Sequence, residues 1–87
     1  MQNNNEIYIY TSSLCSFCFK AKSLLANKNI IFNEINIDLN YKKREEMISK
    51  SNGKTSVPQI FIGTQHIGGC DELFRLEEEN KLEVLIY

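Results

Sequence analysis

Three cysteines, one histidine and a run of acidic and basic side chains are the residues of this 87-residue chain most able to do chemistry. Two of the cysteines, Cys15 and Cys18, stand two residues apart in TSSLCSFCFKAK, directly after an apolar run. Three chemistries fit that spacing. A zinc site draws on Cys15-x2-Cys18 and His66-x3-Cys70, four soft ligands with knuckle-like spacing. Against it, the first pair opens what reads as a continuous helix, and no glycine-rich knuckle surrounds it. A structural staple is weaker, because a loop this short constrains little of the unfolded chain. The third is thiol exchange. Cys15 falls near a helix N-terminus, where unpaired N–H groups and the positive end of the dipole favour a thiolate. A free thiol of pKa about 8.5 is only about 3% ionised at pH 7, whereas a pKa of about 5.5 leaves it almost wholly ionised, a stabilisation of roughly 4 kcal/mol. Cys18 shares a helical stripe with Ala21, Leu24 and Leu25, so it is expected to be less exposed, yet within disulfide reach of Cys15. Cys15 is then the nucleophile and Cys18 the resolving thiol.

The elements that must position this pair can be read from patterning. Glu6 to Tyr10 is β-branched and aromatic, bounded by Thr11-Ser12-Ser13, and reads as a buried strand. A helix follows to about Asn27 or Lys28. Asn29 to Asp38 places Ile31, Ile35 and Ile37 at alternate positions, the pattern of a second strand. Asn40 is a candidate N-cap for a polar helix to Lys50, with Tyr41, Met47 and Ile48 as its apolar face. Ser51 to Thr55 is a turn by composition, and Val57 to Ile62 a third strand. A hairpin at Gly63-Thr64-Gln65 leads into His66-Ile67, with Gly68-Gly69 closing that strand. A third helix opens at Cys70-Asp71-Glu72, its acidic residues placed well for the helix dipole. The tail LEVLIY is apolar and is expected to dock on the core; the early asparagines Asn3, Asn4 and Asn5 read as a frayed terminus. The order β-α-β-α-β-β-α predicts an α/β fold, one mixed four-stranded sheet flanked by helices, in a single domain over residues 1–87.

Composition narrows the function classes. The chain is 43% hydrophobic and 24% charged, with 5 Phe and 4 Tyr, enough for a core without metals or a disulfide framework. Ten basic against eleven acidic residues leave a net charge of −1 and no field to attract nucleic acid or an anionic membrane. No stretch approaches the roughly 18 apolar residues of a membrane span, and MQNNNE lacks the form of a signal peptide. Three cysteines cannot all pair within one chain, which fits a reducing compartment. The expectation is a cytoplasmic monomer with no nucleic-acid or membrane partner.

Further residues complete a family pattern. IYIYTSSLCSFCFKAKSLL, INIDLNYKKREEM and TSVPQIFIGTQHIGGCDEL, in this order and over nearly the whole chain, resemble the glutaredoxin family, in particular its small bacterial dithiol members of the glutaredoxin 3 type. The resemblance implies a thioredoxin-like fold, a cis peptide bond before Pro58, and glutathione as co-substrate with no tightly bound cofactor. It implies an enzyme, a glutathione-dependent disulfide oxidoreductase acting on glutathionylated or disulfide-containing proteins, ribonucleotide reductase among them. Glutathione would contact Cys15, Phe17, Ser56, Val57, Pro58, Gly69, Cys70 and Asp71. Its cysteinyl unit would pair with the Val57 backbone, its γ-glutamyl carboxylate with the helix amides at Cys70 and Asp71, and its ammonium with the Asp71 side chain. No metal is implied by this reading. The alternative from another class, carriage of a [2Fe–2S] cluster between two protomers, would use Cys15 as the metal ligand together with glutathione.

Taken singly, these residues have ordinary readings: Pro58 as a turn proline, Gly68-Gly69 as a turn, Cys70 as a small helix-start residue, His66 as a strand residue, Lys42 to Glu46 and Glu77 to Glu79 as solvated helix faces. Three positions depart from the family pattern. Ser12 stands where many relatives carry a lysine, Ser16 where proline is usual and Phe17 where tyrosine is usual. Lys20 and Lys22 are the candidates to replace the missing cation.

Overall fold

The computed structural model describes residues 4–87. Its strands are β1 (Ile7–Thr11), β2 (Asn33–Asn36), β3 (Gln59–Ile62) and β4 (Gln65–Gly68), and its helices α1 (Ser16–Asn27), α2 (Tyr41–Lys50), α3 (Cys70–Glu78) and α4 (Leu82–Ile86). The sheet order is β2-β1-β3-β4. β1 pairs parallel with β2 and antiparallel with β3, which pairs antiparallel with β4. A parallel pair needs a crossover, and α1 supplies it. The result is the mixed sheet of a thioredoxin-like fold.

Alternation along the central strands divides the core in two. Ile7 and Ile9 of β1 and Ile60 and Ile62 of β3 pack with Ala21, Leu25, Leu73, Leu82 and Ile86 on one face. Tyr10 and Phe61 point the other way, onto Ile37 and Met47. Because both faces of β1 are covered, its sequence is apolar throughout rather than alternating.

One device ends the first three helices. Asn29, Asn52 and Asn80 each adopt φ of 58°, two residues beyond the last helical residue of α1, α2 and α3. In each case the following amide reaches back to a carbonyl of the last turn: Ile30 to Leu25 at 2.9 Å, Gly53 to Ile48 at 2.8 Å and Lys81 to Leu76 at 2.8 Å. This is the Schellman geometry, and asparagine is the side chain that tolerates it best after glycine. At the other end of α2, Asn40 Oδ1 accepts the Lys43 amide at 3.2 Å, the cap expected from sequence.

The same device corrects the second strand. Asn29 is spent on closing α1, and Ile30 drops into the core, leaving Ile31 65% exposed. β2 therefore runs only over Asn33–Asn36, not from Asn29 to Asp38. β3 begins at Gln59 rather than Val57, since Pro58 has no N–H for the ladder. The C-terminal tail does dock on the core, but as a helix: Leu82 and Ile86, one turn apart, are both fully buried. Asn3 lies outside the described residues. Asn4 and Asn5 are tied in rather than frayed, both amides donating to the Ile86 carbonyl at 3.0 and 3.1 Å. Lys28 bridges Glu77 at 2.8 Å and Glu83 at 3.0 Å, so part of the acidic run 77–79 joins α3 and α4 to the end of α1.

The loop carrying Cys15 is held from below. Thr11, fully buried, donates its hydroxyl to Glu34 Oε2 at 2.7 Å, and Lys22 Nζ reaches the same oxygen at 2.9 Å. Thr11→Val keeps the shape and removes the donor, so it should cost about 1 kcal/mol in urea unfolding, near the low end for a bond to a charged group because Glu34 is partly solvated. The Glu34 carboxyl is held below its ordinary 4.5, first by Lys22 and then by Thr11. Its contribution is complete above that unfolded value and is lost as pH falls through the lower folded one. The stability deficit of Glu34→Gln should therefore shrink on acidification across that window.

Candidate active site

Cys15 is the N-cap of α1, extended at φ −143° and ψ 103°, and its sulfur accepts the Cys18 amide at 3.0 Å. A sulfur in this position receives one of the orphan N–H groups of the first turn and sits at the positive end of the helix. No acidic side chain occupies that turn to oppose a thiolate. Cys15 and Cys18 are paired, with Cα atoms 5.2 Å apart. Cys18 is 1% exposed and Cys15 considerably more so. The two thiols thus have unequal access, as their places on the helix predict.

Facing them is the Ser56–Pro58 segment. The Val57–Pro58 peptide is cis, as expected. The Val57 carbonyl lies 3.8 Å from the Cys15 sulfur. The segment is braced by a side-chain chain that sequence reading did not identify. Buried Gln59 donates from Nε2 to the Ser56 carbonyl at 3.0 Å and lies within 3.3 Å of the Ser56 hydroxyl. Its Oε1 is 2.7 Å from His66 Nε2, and the His66 ring stacks on Phe61 at 4.8 Å. Burial, helped by Lys54, pushes the His66 pKa down. His66 therefore serves as a brace behind Ser56, bonded to Gln59 and packed on Phe61. Among the described residues no group of three or more His, Cys, Asp or Glu converges to hold a metal, so the four-ligand set suggested by cysteine and histidine spacing is not assembled.

A cleft of about 250 Å³ opens beside the pair, lined by Phe17, Ser56, Val57, Pro58, Gly69, Cys70, Asp71 and Glu72. Seven of the eight expected contact residues line it, and the eighth, Cys15, touches its Val57 wall. Glu72 is the lining residue that the sequence reading left out. Its carboxylate accepts the Gly69 amide at 2.6 Å, the N3-to-N-cap half of a capping box. The spacing of a glycine N-cap and a glutamate three residues on was the available signal. Cys70, the first residue of α3, is buried, and burial pushes its thiol pKa up, which makes it a poor nucleophile.

The departures also find their places. Ser12 and Ser13 bond to Asp38 and lower its carboxyl pKa, the Ser13 amide most strongly at 2.8 Å. Lys22 is committed to Glu34. Lys20 lies over the Phe74 ring, 4.9 Å from its centroid, between α1 and α3. Phe17 is half exposed and keeps an aromatic surface on the cleft wall.

Comparison with known proteins agrees with this geometry. A family model described as Glutaredoxin matches residues 7–67. The chain is 51% identical over 83 residues to Glutaredoxin 1 of Rickettsia prowazekii, covering 94% of this chain and 87% of that protein. It is 51% identical over 81 residues to Glutaredoxin 3 of Escherichia coli K12, covering 93% and 96%. Among solved structures, a buckwheat glutaredoxin–glutathione complex superposes with a TM-score of 0.85 at 25% identity, covering 97% of this chain and 78% of that one. The pairing of Cys15 with Cys18 is that of a dithiol enzyme and does not favour cluster carriage. The chain belongs to the glutaredoxin family, thiol–disulfide oxidoreductases with glutathione as co-substrate, and carries the CxxC pair of a dithiol member.

Proposed function

We propose that this protein reduces glutathionylated proteins and protein disulfides at Cys15, with glutathione seated in the cleft between Phe17, Ser56–Pro58 and Gly69–Glu72. The observation that carries the reading is the placing of that cleft beside Cys15, whose sulfur lies 3.8 Å from the carbonyl of its Val57 wall. The likeness to a glutaredoxin solved as a glutathione complex supports it.

In the first step the Cys15 thiolate attacks the glutathionyl sulfur of a mixed disulfide. The Cys15–glutathione bond forms, the substrate sulfur–sulfur bond breaks, and the substrate leaves as a thiolate. A second glutathione thiolate attacks the glutathionyl sulfur on Cys15, forming oxidised glutathione and restoring the Cys15 thiolate. With a protein disulfide, Cys15 instead forms a mixed disulfide with the protein, the Cys18 thiolate displaces the protein's sulfur to close the Cys15–Cys18 bond, and two glutathiones in succession reduce that bond, leaving as oxidised glutathione.

The Val57 backbone receives the cysteinyl unit of glutathione. The Gly69 amide is already taken by Glu72, so the γ-glutamyl carboxylate falls to the amides of Cys70 and Asp71, which belong to the helix's first turn and have no intrahelical acceptor. The Asp71 carboxylate takes the ammonium. Asp71→Asn keeps the shape and removes the charge; it should raise KM for a glutathionylated peptide about tenfold while kcat changes little, the signature of binding shared by ground and transition states. The reading takes the protein as a monomer with ribonucleotide reductase among its substrates, working in the cytoplasm, a reducing compartment that the odd cysteine count fits. A coupled assay with glutathione and glutathione reductase tests it directly: absence of turnover on glutathione–hydroxyethyl disulfide would remove it.

A further inference from the structure

We propose that Leu14 and Leu39 form an apolar rim beside Cys15 that selects protein substrates with apolar residues flanking the reacting cysteine. Leu14 is 99% exposed and Leu39 100% exposed, the fullest exposure among the large hydrophobic side chains. A single exposed leucine needs no explanation. These two are linked in space by the bonds between their loops. The Ser13 amide donates to Asp38 Oδ2 at 2.8 Å, Asn36 Nδ2 donates to the Ser13 hydroxyl at 3.1 Å, and the Ile37 amide donates to the Thr11 carbonyl at 2.9 Å. Each leucine is the next residue after one of these tethered groups, and Leu14 directly precedes the nucleophile.

Neither leucine lines the glutathione cleft, whose walls come from α1, the Ser56–Pro58 segment and the start of α3. The rim therefore lies outside the cleft proposed for glutathione. A polypeptide delivering its sulfur to Cys15 must pass close to Leu14, so the rim continues the substrate position. The tethers hold the two loops together before a substrate arrives, which lowers the ordering cost of binding. The partner this surface fits is an extended segment with aliphatic side chains next to its glutathionylated or disulfide-bonded cysteine. Polar flanks would leave both leucines without a hydrophobic partner.

The inference rests on the thiol-exchange reading above, and its test separates the two. Three substrates are compared with glutathione as reductant: glutathione–hydroxyethyl disulfide, and two short peptides carrying one glutathionylated cysteine flanked by leucines or by serines. Wild type should turn over all three and favour the leucine peptide by about tenfold in kcat/KM, the equivalent of one well-buried leucine contact. Leu14→Ser with Leu39→Ser should abolish that preference and leave the small disulfide unaffected, and Leu14→Met with Leu39→Met should keep it. Equal rates on the two peptides with wild type, or an unaltered preference in the serine variant, would overturn the rim while leaving the enzyme reading intact. No turnover of the small disulfide by wild type would remove the enzyme reading itself.

Discussion

Cys15→Ser should reduce turnover of every glutathionylated and disulfide substrate by about three orders of magnitude or more, because a serine hydroxyl is not ionised near neutral pH and cannot form the mixed disulfide. The N-cap would survive, since serine is among the best residues at that position, so the loss would be of chemistry and not of α1. Cys18→Ser should behave differently. Cys18 is buried against the core while Cys15 meets the cleft, so deglutathionylation, which needs only one thiol and glutathione, should keep much of its rate. In a single turnover of the pre-reduced enzyme without glutathione, release of a protein substrate as its dithiol should be lost, because nothing then displaces the substrate from Cys15. The measurement is kcat/KM for the glutathionylated substrate and the single-turnover yield of reduced protein for the disulfide substrate, on both variants, with thermal melts as the control for folding. Retained turnover in Cys15→Ser would transfer the nucleophile elsewhere. Equal loss in both variants would show that the two thiols act as an obligatory pair.

The second large effect is expected at Gly68. Its φ of +121° lies in a region that side chains with a Cβ rarely adopt. A Cβ built there would stand 2.7 Å from Glu72 Oε1 and 2.8 Å from Glu72 Cγ. Glu72 is flexible enough to move, but moving it releases the Gly69 amide from its 2.6 Å bond. Gly68→Ala therefore combines backbone strain with loss of the cap, and should cost about 2–4 kcal/mol in denaturant unfolding. KM for a glutathionylated peptide should rise as well, since Gly69 to Glu72 form one wall of the cleft. Glu72→Ala isolates the cap and should cost only about 1 kcal/mol. If the two substitutions cost the same, the strain at Gly68 is negligible and the glycine serves only to make room for Glu72.

Much of this was legible in the order of residues. The apolar run, the cysteine spacing and the stripe through Cys18, Ala21 and Leu25 place a dithiol at the start of a helix because each depends on neighbours within a turn or two. The Asn40 cap is equally local. Where the reading was wrong or left the form open, a local device with an alternative outcome had competed. Asn29 could extend a strand or close a helix, and the bond from Ile30 to the Leu25 carbonyl decided for closure. The LEVLIY tail could dock as a strand, a coil or a helix, and burial of Leu82 and Ile86 on one side chose the helix. The charge run of α2 read as solvated, yet Glu46 accepts from the buried Tyr10 hydroxyl; that bond above all lowers the Glu46 pKa, while burial foremost raises that of Tyr10.

By itself, the sequence indicated the reaction class and the unequal access of Cys15 and Cys18, since thiol chemistry and helix position are properties of short segments, while the residues expected to wall a glutathione site followed from the family resemblance of motifs spread along the chain. Tertiary structure decided which charges and surfaces remain available around them. It assigned Lys22 to Glu34 and Lys20 to the face of Phe74, set Gln59 and His66 behind Ser56, and brought the loops of Leu14 and Leu39 together. Each of those outcomes joins residues far apart in the chain through a bond of a few ångströms, and only the packing of the sheet and its helices fixes which partners meet.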